Sequence, residues 1–318
     1  MSDQPSLLAA SMAPMQNLFQ DQAYLLESRG VVKLGGERAA ETLQPLLTVS
    51  LANVTKKPVL AYILDEGGYL LADVFVLSRE DGLLLECEKS FIPGLLELLS
   101  PLCEDAGLSA RDCSDQWRVL AELPDQSTLK GGGQYIKYAD PRWHMGARLL
   151  RPISDGESYH WGSELKWQGH THKLGVLPGA HGVSSWRIKP REASLHAQGV
   201  IDADCVDAAI AQELAAPLDT ITRRVLPLRV EPDAFSFPNM IGQQVTVEEA
   251  VIGTVIAHRG LYGLVLVELA PWREALQAAK PLACAGQQVL ITWPSWLARE
   301  SRGRAGPVAA GVRVGESC

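Results

Sequence analysis

The chain has 318 residues, 47% of them hydrophobic and 21% charged, with a formal net charge of −8. That length exceeds one ordinary core and suggests roughly two or three domains of a soluble globular protein. The charge is nowhere concentrated as a basic face, so a direct nucleic-acid grip is not expected, and no run approaches the ~20 apolar residues of a membrane span.

Residues 1–20 read as a disordered arm. No Lys or Arg precedes Arg29, so neither a secretory signal nor an arginine-rich presequence is legible. The expected compartment is the cytoplasm, or the mitochondrial matrix if the source is eukaryotic. The six cysteines, at 87, 103, 113, 205, 284 and 318, form no CxxC pair. They read as scattered reduced thiols and not as a disulfide framework or zinc cage.

From Arg29 the chain runs as a short apolar strand, a Gly35-Gly36 turn and a helix. Ala39, Ala40, Leu43, Leu46 and Leu47 make that helix's apolar face. Two apolar strands follow, joined through Asp65-Glu66-Gly67-Gly68. The second carries one acid, Asp73, between Ala72 and Val74. An acid inside an apolar strand is costly without a partner, which makes Asp73 the first candidate site residue. A strand at Gly82–Glu86 and a helix at about 91–104 complete an α+β pattern with an antiparallel sheet and helices on one face.

No GxGxxG follows a strand, and Gly131-Gly132-Gly133 lacks the GK[ST] of a phosphate loop. Residues 124–136 read as a linker and 152–185 show weak periodicity. Asp202–Ala215 reads as a helix capped by Asp202 or Asp204. The segments 244–257, 260–269 and 287–293 are rich in Val and Ile with glycines at turns, as in a small β module. The domain reading is therefore a first α+β lobe at 21–123, a second at 137–240, a barrel at 241–298 and a disordered tail at 299–318.

Several ordered motifs resemble the YgfZ family, relatives of the glycine-cleavage T-protein (aminomethyltransferase). They are Arg29-Gly30; Gly36-Glu37-Arg38-Ala39; Leu43-Gln44-Pro45-Leu46-Leu47-Thr48; and the hairpin Ile63-Leu64, Gly68, Leu71, Asp73. Asp140-Pro141-Arg142, Gly146 and Arg148 resemble a segment of the mitochondrial iron–sulfur branch. The family's K-G-C-Y-x-G-Q-E signature is degenerate. Aligned on Gly242-Gln243, Asn239 stands at the cysteine, Gln244 at the glutamate and Phe237 at the lysine. His258-Arg259-Gly260 spells the family's later tripeptide, but seven residues late, and reads as chance.

The resemblance implies two α+β, ferredoxin-like lobes and a C-terminal β-barrel around a central opening that takes tetrahydrofolate. It also implies a role in assembling or inserting [4Fe–4S] clusters, with assembly or client proteins as partners. At the signature cysteine, Asn239 offers only amide hydrogen bonds, where a thiolate would be nucleophile, redox group or metal ligand.

Folate recognition needs a carboxylate toward the ring nitrogens, and Asp73 is its candidate, set against a structural acid at a sheet edge. Glu231, in Leu226-Pro227-Leu228-Arg229-Val230-Glu231, is the nearest match to the family's second acid. Arg142 or Arg148 would hold a carboxylate tail in a bidentate contact, or else pair with a surface acid. Three functions stay open: a non-enzymatic, folate-binding-type accessory protein in iron–sulfur assembly; a tetrahydrofolate-dependent one-carbon transferase, disfavoured by Ala72 beside a lone Asp73; and a diverged scaffold acting only through interactions. His170-Thr-His172, with His160 and His181, reads as surface histidines and not as a metal site.

Overall fold

A computed structural model describes residues 23–124, 135–153, 161–231 and 239–297. The arm, the tail, the 131–133 glycines, His160 and Phe237 lie outside the described residues. In chain order the strands and helices are β1 (Tyr24–Leu25), β2 (Arg29–Gly35), α1 (Ala39–Leu43), β3 (Val59–Leu64), β4 (Leu70–Arg79), β5 (Gly82–Glu88), α2 (Ile92–Ala106), β6 (Ser109–Asp112) and β7 (Trp117–Glu122). They continue as β8 (Ile136–Ala139), β9 (Ala147–Pro152), β10 (Gly162–Ser163), α3 (Glu164–Leu174), α4 (Ala208–Ala215), β11 (Arg223–Glu231), β12 (Gln244–Val247), β13 (Ala250–Arg259), β14 (Tyr262–Glu268), α5 (Leu269–Gln277), β15 (Leu282–Cys284) and β16 (Gln287–Ile291).

The first sheet is antiparallel, in the order β3-β4-β5-β2-β6. Side chains alternate between its faces with the period of two that a strand imposes. Val32, Leu34, Ala61, Ile63, Ala72, Val74, Val76, Leu83 and Leu85 point to one face and pack on α1 and α2. Helix α2 answers with Ile92, Leu95, Leu99 and Cys103 at helical spacing, and ends where Gly107 turns left-handed at φ 67°. The opposite face carries Val31, Leu60, Tyr62, Phe75, Leu77 and Leu84 into a second, larger core.

That core is shared with a second sheet, ordered β10-β1-β7-β9-β8. The sheets divide the chain differently from the 21–123 and 137–240 reading. Strands β1 and β7, on either side of the first sheet's segments in sequence, belong to the second: Tyr24 pairs with Ala121, and Leu120 with Leu149. Both sheets thus interlock through the chain, and hydrophobic periodicity carries no information about which strand each pairs with.

The third unit is a closed barrel, β11-β14-β13-β12-β15-β16. Its first strand begins at Arg223, well before the expected boundary at 241. Pro227 in the middle of β11 hides that strand, because a proline normally argues against an interior strand. Here it sits opposite Leu264, and its carbonyl accepts from Thr292 N at 3.2 Å. Two further expectations are corrected. His170 and His172, expected at the surface, lie on α3, where His172 is buried because it faces the barrel, and α3 is capped by Ser163 Oγ accepting from Leu165 N at 3.2 Å. Helix α4 starts at Ala208, and its cap is Asp207, whose carboxylate accepts from Ala209 N and Ile210 N at 2.9 and 3.0 Å.

Candidate functional site

Asp73 lies on β4, between β3 and β5, and not at a sheet edge. By strand parity it shares Phe75's face, which looks toward the second sheet. Arg29 on β2 and Glu86 on β5 project to the same face, and the registers Phe75↔Glu86 and Arg29↔Glu88 set them side by side. Arg29 Nη1 donates to Asp73 Oδ2 at 2.9 Å, its Nε pairs with Glu86 Oε1, and its Nη2 reaches the Glu86 carbonyl at 3.3 Å. The second carboxylate oxygen of Asp73 accepts from Ala180 N at 2.8 Å. Asp73 is 1% exposed.

The second sheet and its loops supply the other half. Asp140 receives Arg142 through two guanidinium nitrogens, at 2.9 and 2.6 Å, and Arg142 Nη1 donates to Leu177 O at 2.8 Å. Arg148, on β9, is fully buried. Its Nε lies 3.4 Å from Asp140 Oδ2, its Nη1 lies 3.6 Å from Glu86 Oε1, and its guanidinium stacks between Phe75 at 5.0 Å and Trp167 at 4.7 Å. Tyr138 OH donates to Glu86 Oε2 at 3.0 Å. Three arginines and three carboxylates thereby close a buried ionic seam between the two sheets. Neither Arg142 nor Arg148 pairs with a surface acid; their partners are interior.

The electrostatics follow from that pairing. Burial alone pushes a carboxyl up, but Arg29, Arg142 and the Ala180 N–H outweigh it and hold Asp73 below its ordinary value. Asp140 is likewise held down against burial by Arg142 and Arg148. Burial pulls Arg29 down, and Asp73 and Glu86 reverse this, so it stays charged. Burial and the negative Glu86 raise Tyr138. Half-buried Glu88 accepts from His181 N at 2.7 Å and Gly182 N at 3.2 Å. Burial first, and then the like charge of Asp73, raise its pKa. Asp73 and Glu88 together therefore dock the 180–182 turn onto the first sheet.

The remaining predicted residues lie elsewhere. Glu231 is exposed at the end of β11, opposite Gln288 in the barrel. Asn239 Oδ1 accepts from Ile241 N at 3.1 Å. Gly242 turns at φ 83° and donates to Val255 O at 2.8 Å; Gln243 is exposed, and its carbonyl accepts from Val255 N at 2.9 Å. This degenerate signature turn leads into β12 of the barrel and abuts Trp186: a Cβ on Gly242 would lie 3.9 Å from that indole. Sequence reasoning misses Arg29 and Glu86 as site residues. Glu86 carries the same cue as Asp73, an acid after the apolar run Leu83-Leu84-Leu85.

No thiol stands ready beside the seam among the described residues. Cys87 points to the opposite, apolar face of the first sheet, and burial pushes its thiol up to about 12. Two surface cavities, of about 750 and 420 Å³, are lined by Gln44, Pro45, Ser50 and 202–207, and by Asp115, Gln116, Trp117, Pro152 and Ile153. Neither includes a seam residue. Among the described residues no group of three or more His, Cys, Asp or Glu is placed to hold a metal ion, and no helix is long and apolar enough to cross a membrane.

Two interlocked α+β sheets followed by a closed barrel are the architecture of the T-protein class. The glycine cleavage system aminomethyltransferase T from Bartonella henselae aligns with a TM-score of 0.59, at 14% identity, over 86% of this chain and 85% of that one. The CAF17 C-terminal beta-barrel domain family matches residues 222–299. The C-terminal barrel is thus similar to that of the CAF17 family, and the chain as a whole shares the T-protein fold. No curated protein matches the chain by sequence.

Proposed function

We propose that this chain is a non-enzymatic accessory protein in iron–sulfur cluster assembly or insertion, working by docking assembly or client proteins. The observation that carries the reading is the CAF17-type barrel on a T-protein fold. Two site features favour binding over chemistry. Asn239 replaces the signature cysteine and ties its amide to its own turn. Both oxygens of Asp73 are engaged, by Arg29 and by Ala180 N, which leaves no free carboxylate for general-base work. The test is complementation of a strain lacking its YgfZ-type protein, read as recovery of a [4Fe–4S] enzyme's activity. Full recovery by the expressed, folded chain supports the proposal, and no recovery overturns it.

Reduced folate is the second reading, and one observation favours it. Nη1 and Nη2 of Arg148 and Nε1 of Trp167 are buried donors without a hydrogen-bond partner, side by side between the sheets. Such a donor set suits the acceptor oxygens of a ligand. Asp73 does not fit a ring-binding role while Arg29 and Ala180 hold it, so binding requires the seam to open. Calorimetric titration with tetrahydrofolate decides this reading: saturable heat that Arg148→Lys abolishes supports it, and none at millimolar ligand removes it.

A further inference from the structure

The joint between α3 and the barrel contains two histidines with no acid among them. His172 on α3 is 2% exposed, and His258 on β13 is 6% exposed. His172 Nδ1 and His258 Nε2 are both buried without a hydrogen-bond partner. The other side of each ring meets backbone, at Tyr262 and Gly260 respectively. Arg259, next to His258, donates from Nε to Gln168 Oε1 on the same α3 face at 2.8 Å. The joint therefore already contains one fixed cation. Two further ties are neutral: Trp296 Nε1 donates to Leu174 O at 2.8 Å, and Gly175 packs on Pro227 and Pro294.

We propose that the α3–barrel joint is an acid-sensitive hinge, in which protonation of His172 or His258 releases the barrel from the second sheet. Among the described residues, the charged groups on the packed elements leave the new cation uncompensated, and the 181–186 turn against β13 brings one titratable group, His181. On α3, Glu164 lies two turns away and is held by Ser28 N at 3.0 Å, while Lys166 and Lys173 are cationic, and the His170 ring meets His144 O at 3.0 Å. On β13 the charged neighbour is Arg259. On β14, Glu268 sits at the far end, opposite Arg223, while Tyr262 is neutral. On β11, Arg223, Arg224 and Arg229 are cationic, and exposed Glu231 faces Gln288. Strands β1 and β10 bring only Tyr24 and Ser163.

The sign follows from burial. Burial first, then Arg259 and His258, push His172 down to about 4, and burial and Arg259 lower His258 as well. A group depressed in the closed joint favours closure above its free value and loses that contribution as pH falls toward the closed value. With a free value near 6.5, His172 alone raises the opening equilibrium roughly 30-fold between pH 7.5 and pH 5.

Hydrogen exchange of the full chain, corrected for intrinsic rates, tests this. The amides of α3 are expected to open about 30-fold more at pH 5 than at pH 7.5, with α2 unchanged. His172→Gln should lose most of that response, and His172→Gln with His258→Gln all of it. Parallel opening of α2, or a full response in the double variant, overturns the proposal. Should the variants fail to fold, ring NMR of the wild-type histidines decides. At least one ring staying neutral below pH 5.5 supports the hinge, and all seven titrating near 6.5 overturns it.

Discussion

Asp73→Asn separates the two roles open to this residue. The substitution keeps the shape and leaves Oδ1 able to accept from Ala180 N. It removes the charge facing Arg29 and turns an amide N–H₂ toward a guanidinium. Breaking a buried ion pair from one side costs about 3–5 kcal/mol, because the partner stays buried and charged. Two features hold the cost to the lower end: Arg29 keeps Glu86, and Glu88 is freed from the like charge that helps raise it. The expected loss is therefore about 3 kcal/mol at pH 7, or a fall of about 6 °C in melting temperature for a chain of this size. Asp73 has a depressed folded pKa, so its contribution is present above its unfolded value and is lost as pH falls through the folded one. The gap between wild type and variant should be full at neutral pH and narrow below about pH 4. Urea denaturation at pH 7 and at pH ~3.5 measures it. A carboxylate kept in the open for a ligand would change stability by less than about 0.5 kcal/mol. A gap that small, or one that does not narrow in acid, refutes the seam argument.

The other consequences concern the same face and its neighbour. Arg148→Lys retains the charge but loses the planar group stacked between Phe75 and Trp167, and should lower stability by about 2 kcal/mol in urea titration; no loss would mean that the stack contributes nothing. Cys87, with its thiol pushed up to about 12, has a thiolate fraction of roughly 10⁻⁴ at pH 8. Site-resolved alkylation of the native protein should leave it unmodified while half-buried Cys205 reacts, and comparable labelling of the two contradicts its burial.

Legibility in the sequence tracks how local each signal is. Asp73 stands out because its neighbours Ala72 and Val74 are apolar, and strand parity alone puts it on the face of Phe75. The pairing of β1 and β7 with the second sheet has no such cue, since Tyr24 and Ala121 lie far apart in sequence. Helix α3 is hard to see because its buried positions are Trp167, Thr171 and His172, which draw no apolar stripe; Ser163 and Gly175 at its ends are the available signals. Strand β11 is masked by Pro227. Glu86 is the instructive omission. It repeats Asp73's cue on the next strand, and two acids on one face require a shared cation, a requirement that points across the sheet to Arg29.

This seam also decides how the scaffold can act. Each of its six charges is desolvated and paired: Arg29 across strands with Asp73 and Glu86, Arg148 with Asp140 and across the two sheets with Glu86, and Arg142 with Asp140 in its own loop. Moving the sheets apart exposes Arg148 and Glu86 together, so the interior resists gradual widening and either stays closed or opens as a unit. The barrel is joined differently, through two neutral imidazoles, an indole and one Arg259–Gln168 bond with no acid opposite it, and in the proposed hinge a single added proton disturbs that contact. The hinge proposal thus places the movable surface at α3 and the barrel, while Asp73 and its arginines keep the two sheets fixed in relation to each other.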